Sequence, residues 1–476
     1  MRGDVLLEVN DLAVHTRPGA VLLQGAQLSL ARGQRLTIVG ESGAGKSILA
    51  QAIMGTLPDG LQASGSVRIA GRATNGERAL TQPLWGSTVT MLPQEPWSAL
   101  SPLMRMQAQV AEGGHFAARM PWEKAREVAA ARMNQLGVAH AAQQWLHQIS
   151  GGMAQRVGIA ASGLGGAALL LADEPTKGLD DASRAQVAAL LAQMQGEKQA
   201  LLTITHDLDL AAQLGGQLLV MQAGHVVESG LAADVLQAPQ HAYTRALIAA
   251  QPKNWQPLVS PIADSFQPTI SGRGLSKAYG QRVLFDALDM DVSRSEILAI
   301  SGPSGCGKTT LGNILLGVVQ ADRGQVLRSH AKPQKFQKLY QDPPAAFAPQ
   351  RKIGDALNDL IALHSLDAKR IEPLLHELRL HSGLLDRLPP QVSGGELQRI
   401  ALLRLLLLSP AFIFADEPTS RLDVITQHET MKLVTRSAQE HDCAILLVSH
   451  DANLARASSH RHIRLAATAL LDTMAA

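Results

Sequence analysis

The sequence contains little cysteine, little net charge and no long apolar run. Its 476 residues include only two cysteines, Cys306 and Cys443, which excludes a disulfide framework, a four-cysteine zinc site and a cluster-binding motif, and favours a cytosolic protein. The 43 Lys and Arg nearly balance the 41 Asp and Glu, so the net charge of +2 provides no electrostatic footprint for a dedicated nucleic-acid binder. The hydrophobic share of 46% excludes a disordered chain.

The apolar segments are too short or too interrupted to cross a bilayer. The longest candidate lies between Arg156 and Asp173 and falls short of the roughly 18 apolar residues that a span needs. The N-terminal residues carry acids where a signal peptide has its apolar run. We therefore expect neither a membrane span nor export.

Four pairs of similar strings recur in the same order along the chain. They are GESGAGKS (40–47) and GPSGCGKT (302–309), ISGGMAQR (149–156) and VSGGELQR (392–399), LLLADEPTKGLD (169–180) and FIFADEPTSRLD (412–423), and TITHD (203–207) and LVSHD (447–451). Repetition on this scale indicates a duplicated domain.

The spacing of the repeats predicts where the copies differ. Lys46 and Lys308 are 262 residues apart, but Ser150 and Ser393 are only 243 apart, so the second copy is 19 residues shorter between these points. We expect that a β-hairpin in this region is shortened in the second copy. A polar segment with several prolines separates the copies. The predicted organisation is a first domain (1–250), a linker (251–268) and a shortened second domain (269–476).

Short aliphatic or β-branched runs precede the repeated strings, as in RLTIVG and AFIFAD. Such runs are typical of buried strands in a parallel sheet, whose ligands bind at the carboxyl ends. Helical stretches at 125–136 and 371–380 precede the second pair of strings and suit a separate helical subdomain. The predicted class is α/β, with a mostly parallel sheet in each copy.

The GxxxxGK[ST] pattern turns backbone N–H groups toward phosphate oxygens at a helix N-terminus, where the helix dipole favours an anion. Lys46 and Lys308 are predicted to reach the β- and γ-phosphates, and Ser47 and Thr309 to ligate Mg²⁺. The residues predicted to hold the nucleotide are Gly40, Glu41, Ser42, Gly43, Ala44, Gly45, Lys46 and Ser47 in the first copy, and Gly302, Pro303, Ser304, Gly305, Cys306, Gly307, Lys308, Thr309 and Thr310 in the second.

Each copy has a strand that ends in Asp-Glu. Nucleotide hydrolysis needs one carboxylate near the metal and another to orient water, so Asp173 and Asp416 are predicted metal ligands. Glu174 and Glu417 are predicted to polarise the attacking water. His206 and His450 follow the next strand in each copy, which favours a γ-phosphate contact over a purely structural role.

Taken together, these strings resemble the ATP-binding cassette (ABC) ATPases over nearly the whole chain. The resemblance implies two tandem P-loop NTPase domains, each with a helical subdomain and an antiparallel β subdomain, that bind ATP and Mg²⁺. It implies that each signature acts on the nucleotide of the opposite cassette, which assigns Ser150, Gly151 and Gly152 to the nucleotide of Lys308, and Ser393, Gly394 and Gly395 to that of Lys46.

Other positions also match motifs of that family. Gln94 and Gln341 match the glutamine that contacts Mg²⁺ or water, and the strings GLD (178–180) and RLD (421–423) match a loop at the dimer interface. Tyr279 suits the aromatic that stacks on adenine. The first copy has His15 there, for which a solvated strand-end histidine is an equal interpretation.

Two features resemble the dipeptide, oligopeptide and nickel importer branch. One is the extension after each glutamine, QEPWSALSPL (94–103) and DPPAAFAP (342–349), and the other is the segment 235–252. This resemblance implies an ATPase that pairs its own two cassettes, one chain per transporter. It further implies two transmembrane permease subunits, an extracytoplasmic solute-binding protein and a peripheral position on the cytoplasmic face of the inner membrane. The implied solutes are peptides, nickel or another chelated metal, or related small molecules.

Two alternatives remain open at this point. One is a soluble tandem-cassette ATPase that acts on ribosomes or DNA, although the short segment 251–268 is unlike the charged helical linker of such proteins and two cysteines cannot build zinc modules. The other is an exporter ATPase, against which segment 235–252 is the sequence argument.

Overall fold

The computed structural model describes residues 5–17, 19–177, 179, 181–193, 199–262, 267–303, 305–420 and 422–465. The chain divides into two compact units, Met1–Ile248 and Ala249–Ala476. Four residues to which the sequence assigned a place, Ser304 in a phosphate loop and Gly178, Asp180 and Arg421 in the interface loops, lie outside the described residues.

The first unit alternates strands with helices. Its strands are β1 (Val5–Thr16), β2 (Val21–Ala31), β3 (Arg35–Val39), β4 (Leu61–Ile69), β5 (Arg72–Ala73), β6 (Val89–Leu92), β7 (Leu169–Asp173), β8 (Ala200–Thr205), β9 (Gln217–Gln222) and β10 (His225–Leu231). Its helices are α1 (Lys46–Met54), α2 (Arg78–Thr81), α3 (Pro96–Ala99), α4 (Met106–Glu112), α5 (Trp122–Gln135), α6 (Gly151–Leu164), α7 (Asp181–Gln193), α8 (Leu208–Leu214), α9 (Ala232–Gln237) and, ending at the unit boundary, α10 (Ala242–Ala249).

The central sheet of this unit has the strand order β10-β9-β3-β8-β7-β6. All of its neighbours are parallel except β10, which runs antiparallel to β9. Every residue of β7 and β8 is buried, as expected for parallel strands covered on both faces. An antiparallel sheet, β2-β1-β4-β5, packs with α1 on one side, and α4, α5 and α6 form a helical layer with its own apolar core.

The second unit repeats this plan. Its strands are β11 (Pro268–Tyr279), β12 (Arg282–Ser293), β13 (Ile297–Ser301), β14 (Arg323–Arg328), β15 (Phe336–Leu339), β16 (Phe412–Asp416), β17 (Ala444–Val448) and β18 (Arg461–Arg464). Its helices are α11 (Lys308–Leu316), α12 (Ile353–His364), α13 (Ile371–Glu377), α14 (Gly394–Leu407), α15 (Val424–Glu440) and α16 (Ala452–Ala457). The parallel sheet has the order β15-β16-β17-β13-β18 and the antiparallel sheet the order β12-β11-β14.

The two units differ where the sequence predicted a deletion. In the first unit β4 is followed by the paired strand β5 and by α2, whereas the described residues between β14 and β15 hold only a short 3-10 turn at Pro333–Lys335. The α/β class with two mostly parallel sheets is therefore confirmed, and so is the missing hairpin. Among the described residues, no helix combines the length and apolarity required to traverse a bilayer.

Part of the segment predicted as a linker packs on the second unit. Trp255 is 8% exposed and belongs to that unit's apolar core, where its ring stacks on His428 with centroids 4.6 Å apart. The backbone N–H of Leu258 donates to the carbonyl of Ala457 over 2.7 Å. The boundaries 1–250, 251–268 and 269–476 stay a prediction, but the described residues up to 262 do not form a free tether.

Replacing Trp255 with alanine should destabilise the second unit by about 3–5 kcal/mol, because a large buried side chain leaves a cavity. Hydrogen exchange of β16 amides measures the free energy of opening of this unit. Leu363→Ala, a change at a side chain that is 76% exposed, is the control and should shift that free energy by at most about 0.5 kcal/mol. Equal exchange in Trp255→Ala and the unmodified chain would show that the segment is an unattached linker.

Candidate functional site

The two glycine-rich loops leave strands β3 and β13 and enter helices α1 and α11. Each begins at a glycine that the neighbouring chain makes obligatory: a Cβ at Gly40 would lie 2.2 Å from the carbonyl oxygen of Met221, and one at Gly302 would lie 2.5 Å from that of Leu465. The loops therefore fit closely against the ends of adjacent strands. Both helices start at the predicted lysine.

Both lysines are buried and fold back over their own loops. Lys46 Nζ donates to the carbonyls of Gly40 and Glu41 over 2.7 and 2.8 Å. Lys308 Nζ donates to those of Gly302 and Pro303 over 2.7 and 3.0 Å. Each ammonium thus lies at its phosphate loop, in the position from which it can compensate phosphate charge.

The predicted metal ligands lie beside these loops. Asp173 and Asp416 end β7 and β16 and are buried, and burial raises the pKa of Asp173 to about 6 and raises the pKa of Asp416 as well. Asp173 Oδ1 has no hydrogen-bond partner among the described residues, and the Thr309 hydroxyl donates to Asp416 Oδ1 over 3.1 Å. A buried, unpartnered carboxylate oxygen beside a hydroxyl and a phosphate loop fits Mg²⁺, which takes few protein ligands and several from phosphate and water.

Within the described ranges, no group of three or more His, Cys, Asp or Glu side chains could hold a metal ion. Both cysteines are buried, Cys306 within the phosphate loop and Cys443 in the core of the second unit.

Each predicted water-polarising glutamate pairs with the predicted histidine. His206 Nδ1 lies 2.8 Å from Glu174 Oε2, and His450 Nδ1 lies 3.3 Å from Glu417 Oε2. Burial alone would raise the pKa of Glu174, but the charge of His206 and its hydrogen bond outweigh burial and lower it. The pKa of Glu417 is lowered for the same reason by His450. Both glutamates are thus held as carboxylates.

The backbone of both glutamates is left-handed, which the sequence did not reveal. Glu174 and Glu417 have φ values of 47° and 46°. Such a conformation is uncommon outside glycine and costs on the order of 1–3 kcal/mol. Their N–H groups donate to the carbonyls of Ile204 and Val448 over 2.8 and 3.0 Å, which ties each glutamate to the neighbouring strand.

The two glutamine loops differ in their contacts. Gln341 is exposed, and its Nε2 donates to Glu417 Oε2 over 3.0 Å and to the Ser420 hydroxyl over 3.2 Å. Gln94 is half-buried in the equivalent loop and makes no such bond to Glu174 within the described part of the chain. Among the described contacts, the second glutamine thus bonds to its glutamate and the first does not.

The signature serines begin helices α6 and α14, and both are exposed. Ser150 Oγ accepts from the N–H of Met153 over 3.4 Å. Ser393 forms a full capping box, because its Oγ accepts from the N–H of Glu396 over 3.3 Å and its own N–H donates to the Glu396 carboxylate over 3.1 Å. Its hydroxyl also donates to that carboxylate over 2.6 Å. The glycines Gly151, Gly152, Gly394 and Gly395 form the first turns of these helices.

The extension after each glutamine packs against the signature helix. A Cβ at Gly151 would lie 2.8 Å from the ring of Trp97, which is part of α3. In the second unit Arg404 of α14 donates to the carbonyl of Ala346 over 2.6 Å. Within each unit, the segment after the glutamine therefore contacts the helix that begins at the signature.

The predicted adenine contacts lie on the antiparallel sheets. Tyr279 ends β11 and is 56% exposed, and Arg282 on the adjoining strand donates to the carbonyl of Gly305 in the phosphate loop over 2.8 Å. The Lys277 ammonium lies 5.3 Å from the centroid of the Tyr279 ring, and stacking of this ring on adenine stays a prediction. His15 lies half-buried on β1, and its role stays a prediction.

These sites agree with what the chain is similar to. The model of the family described as "ABC transporter" matches residues 23–177 and 285–420, which together are more than half of the chain. The chain belongs to the ABC transporter family. Because each matched range contains a phosphate loop and an Asp-Glu strand end, the protein is an ABC ATPase with two cassettes, one in each unit.

The similar proteins cover nearly the whole chain. The peptidoglycan transport ATP-binding protein YejF of Agrobacterium fabrum is 32% identical over 95% of this chain and 89% of its own length. The uncharacterized ABC transporter ATP-binding protein YejF of Escherichia coli K12 is 32% identical over 97% and 94%. The glutathione import ATP-binding protein GsiA of Escherichia coli K12 is 31% identical over 92% and 81%.

Solved structures show a similar fold at lower identity. An RNase-L inhibitor and an archaeal ribosome recycling factor in complex with a ribosomal stalk protein have TM-scores of 0.63 and 0.65. Each is 21% identical, and each comparison covers 95% of this chain and 87% of the solved chain. At this identity the likeness shows the fold alone.

Tyr243 is a contact of the first cassette that the sequence did not single out. It lies in α10, is buried, and its hydroxyl accepts from the N–H of Glu41 in the phosphate loop over 2.8 Å. The only sequence signal was that segment 235–252 resembles the importer branch. Tyr243 therefore connects this segment to the nucleotide site.

Tyr243→Phe should weaken nucleotide binding at the first site about two- to tenfold, because loss of one hydrogen bond costs about 0.5–1.5 kcal/mol. The measurement is the dissociation constant of a fluorescent ATP analogue in a Lys308→Ala background, which leaves the first loop intact. The same substitution in a Lys46→Ala background should change nothing. Unchanged affinity in both backgrounds would remove Tyr243 from the site.

Proposed function

We propose that this ATPase is the energy-supplying subunit of an importer for peptides or related small solutes, nickel and chelated metals included. Relatives at 31–32% identity are named for peptidoglycan transport and glutathione import, and they align over more than nine-tenths of the chain. The observation that supports this most is α10, whose segment 235–252 resembles the importer branch and whose Tyr243 contacts the phosphate loop.

The proposed chemistry follows from the paired side chains. In both cassettes the described hydrogen bonds of the catalytic glutamate go to Oε2, from His206 and Thr205 to Glu174 and from His450 and Gln341 to Glu417. This leaves Oε1 of each glutamate to accept a proton from the attacking water. The histidine keeps the carboxylate ionised and fixes its direction.

Asp173 and Ser47 in the first cassette, and Asp416 and Thr309 in the second, are proposed to hold Mg²⁺, with Gln94 and Gln341 at its edge. Bound Mg²⁺ would neutralise part of the phosphate charge. Lys46 and Lys308 would compensate the remaining phosphate charge, and the loop N–H groups would orient the transferred group.

The two cassettes of one chain are proposed to form a single nucleotide sandwich. Ser150, Gly151 and Gly152 would then act on the nucleotide at Lys308, and Ser393, Gly394 and Gly395 on that at Lys46. ATP binding would close the sandwich and hydrolysis would reopen it. We propose that it docks on two permease subunits at the cytoplasmic face of the inner membrane, with a solute-binding protein outside.

Substituting both glutamates, Glu174→Gln with Glu417→Gln, should lower ATP turnover by about 10²–10⁴ while ATP stays bound. The carboxylates that orient water are lost, whereas the phosphate loops are unchanged. Turnover and retained nucleotide are measured on the assembled transporter. Glu440→Gln, at an exposed position of α15, is the control and should leave both quantities unchanged. Full turnover in the double variant would exclude these glutamates from the reaction.

The transport assignment is tested by fractionation of native membranes. The chain should sediment with membranes when its permeases are present and should remain in the supernatant without them. Co-purification should then recover a solute-binding protein whose bound solute, identified by mass spectrometry, is a peptide or a chelated metal. Sedimentation with ribosomes, independent of any permease, would favour the soluble alternative.

A further inference from the structure

Lys338 stands in the second cassette where the first has a methionine. Met91 pairs with Leu171 across β6 and β7, and Lys338 pairs with Phe414 across β15 and β16, in each case two residues before the metal-site aspartate. The register of the two sheets therefore makes the positions equivalent. One neutral side chain and one cation occupy the same place beside the two metal sites.

The Lys338 ammonium is held in a fixed position. Its Nζ lies 3.3 Å from Asp416 Oδ2 and 3.2 Å from Asn313 Oδ1. The rings of Phe414 and Tyr340 lie near it, with centroids at 4.9 and 5.3 Å. The side chain is 17% exposed. A carboxylate, an amide oxygen and two aromatic faces thus stabilise the charge where water is scarce.

The metal-site carboxylates consequently differ in their partners. Both oxygens of Asp416 are engaged, Oδ2 by Lys338 and Oδ1 by the hydroxyl of Thr309. Asp173 Oδ1, by contrast, is buried and has no partner in the described residues. Burial raises the pKa of both aspartates, and at Asp416 the charge of Lys338 opposes that rise. The charges of Lys46 and Lys177 and a hydrogen bond from Ser47 likewise oppose the rise at Asp173, so the feature particular to Asp416 is its ion pair with Lys338.

We propose that Lys338 lowers the Mg²⁺ affinity of the second nucleotide site, so that the two sites of one chain load with metal unequally. This inference rests on the proposed Mg²⁺ roles of Asp173 and Asp416. A divalent cation drawn to Asp416 meets an ammonium a few ångströms away, and like charges repel strongly in a half-buried site. Mg²⁺ must either displace this ammonium or bind beside it, and in both cases the affinity of the second site for Mg²⁺ is lower.

The structural alternative is that Lys338 only neutralises a buried aspartate. In that case removing the lysine would affect folding but not the metal dependence of nucleotide binding. The readout that separates the two is a ratio: the dissociation constant of a fluorescent, non-hydrolysable ATP analogue in EDTA divided by that in Mg²⁺. The ratio is measured at the second site in a Lys46→Ala background and at the first site in a Lys308→Ala background.

We expect a smaller ratio at the second site than at the first in the chain that is otherwise unmodified. Lys338→Met, which installs the first cassette's residue, should raise the second-site ratio about tenfold or more. Lys338→Arg keeps the charge and should leave the ratio low. Lys335→Met is the control. It removes an ammonium that donates to the carbonyls of Leu408 and Ser409, and it should not change the second-site ratio.

Two further variants keep the test decisive. If Lys338→Met loses binding in EDTA because it does not fold, Lys338→Gln replaces it, since its amide can still contact Asn313. Met91→Lys is the reciprocal change and should lower the ratio of the first site.

The outcomes separate this inference from the proposed function. An unchanged or lowered ratio in Lys338→Met, with a first site that depends on Mg²⁺, overturns the role of Lys338 alone. If nucleotide binding at neither site responds to Mg²⁺ in the chain with an intact Lys338, both the proposed metal sites and this inference fail.

Discussion

Both glutamate–histidine pairs depend on parallel pairing between the strand that ends in Asp-Glu and the strand that ends before the histidine. The register places Asp173 opposite Ile204 and Asp416 opposite Val448. A slip of one residue would turn every side chain to the other face of the sheet and separate the glutamate from its histidine. The buried aliphatic strands therefore set the glutamate–histidine distance as well as the stability of each unit.

The two cassettes differ in the side chains that contact the phosphate loop, the strand-end aspartate and the glutamate. The first has Tyr243 on its phosphate loop, whereas the second has Lys338 on its metal-site aspartate and Gln341 on its glutamate. The signatures differ too, since Glu396 engages the hydroxyl of Ser393 and Met153 has no such group. The two copies thus share the same loop lysine, aspartate, glutamate and histidine but differ in the charged and polar groups around them.

The sites also connect to the rest of each unit through short packed segments. The extension after the glutamine lies against the signature helix, through Trp97 in the first unit and Arg404 in the second. Within each unit, the segment after the glutamine and the signature helix are thus in direct contact.

The sequence alone determined the features that are written in contiguous residues. The glycine-rich loops, the Asp-Glu strand ends and the buried aliphatic runs predicted a duplicated, parallel α/β fold, and the 19-residue deficit predicted the missing hairpin, because each depends on local pattern and spacing. Tertiary structure decided the left-handed backbone of Glu174 and the docking of Trp255. It also decided the contacts of Lys338 and of Tyr243, the latter 202 residues away from its partner. These depend on which distant segments pack together, and no periodicity along the chain encodes that choice.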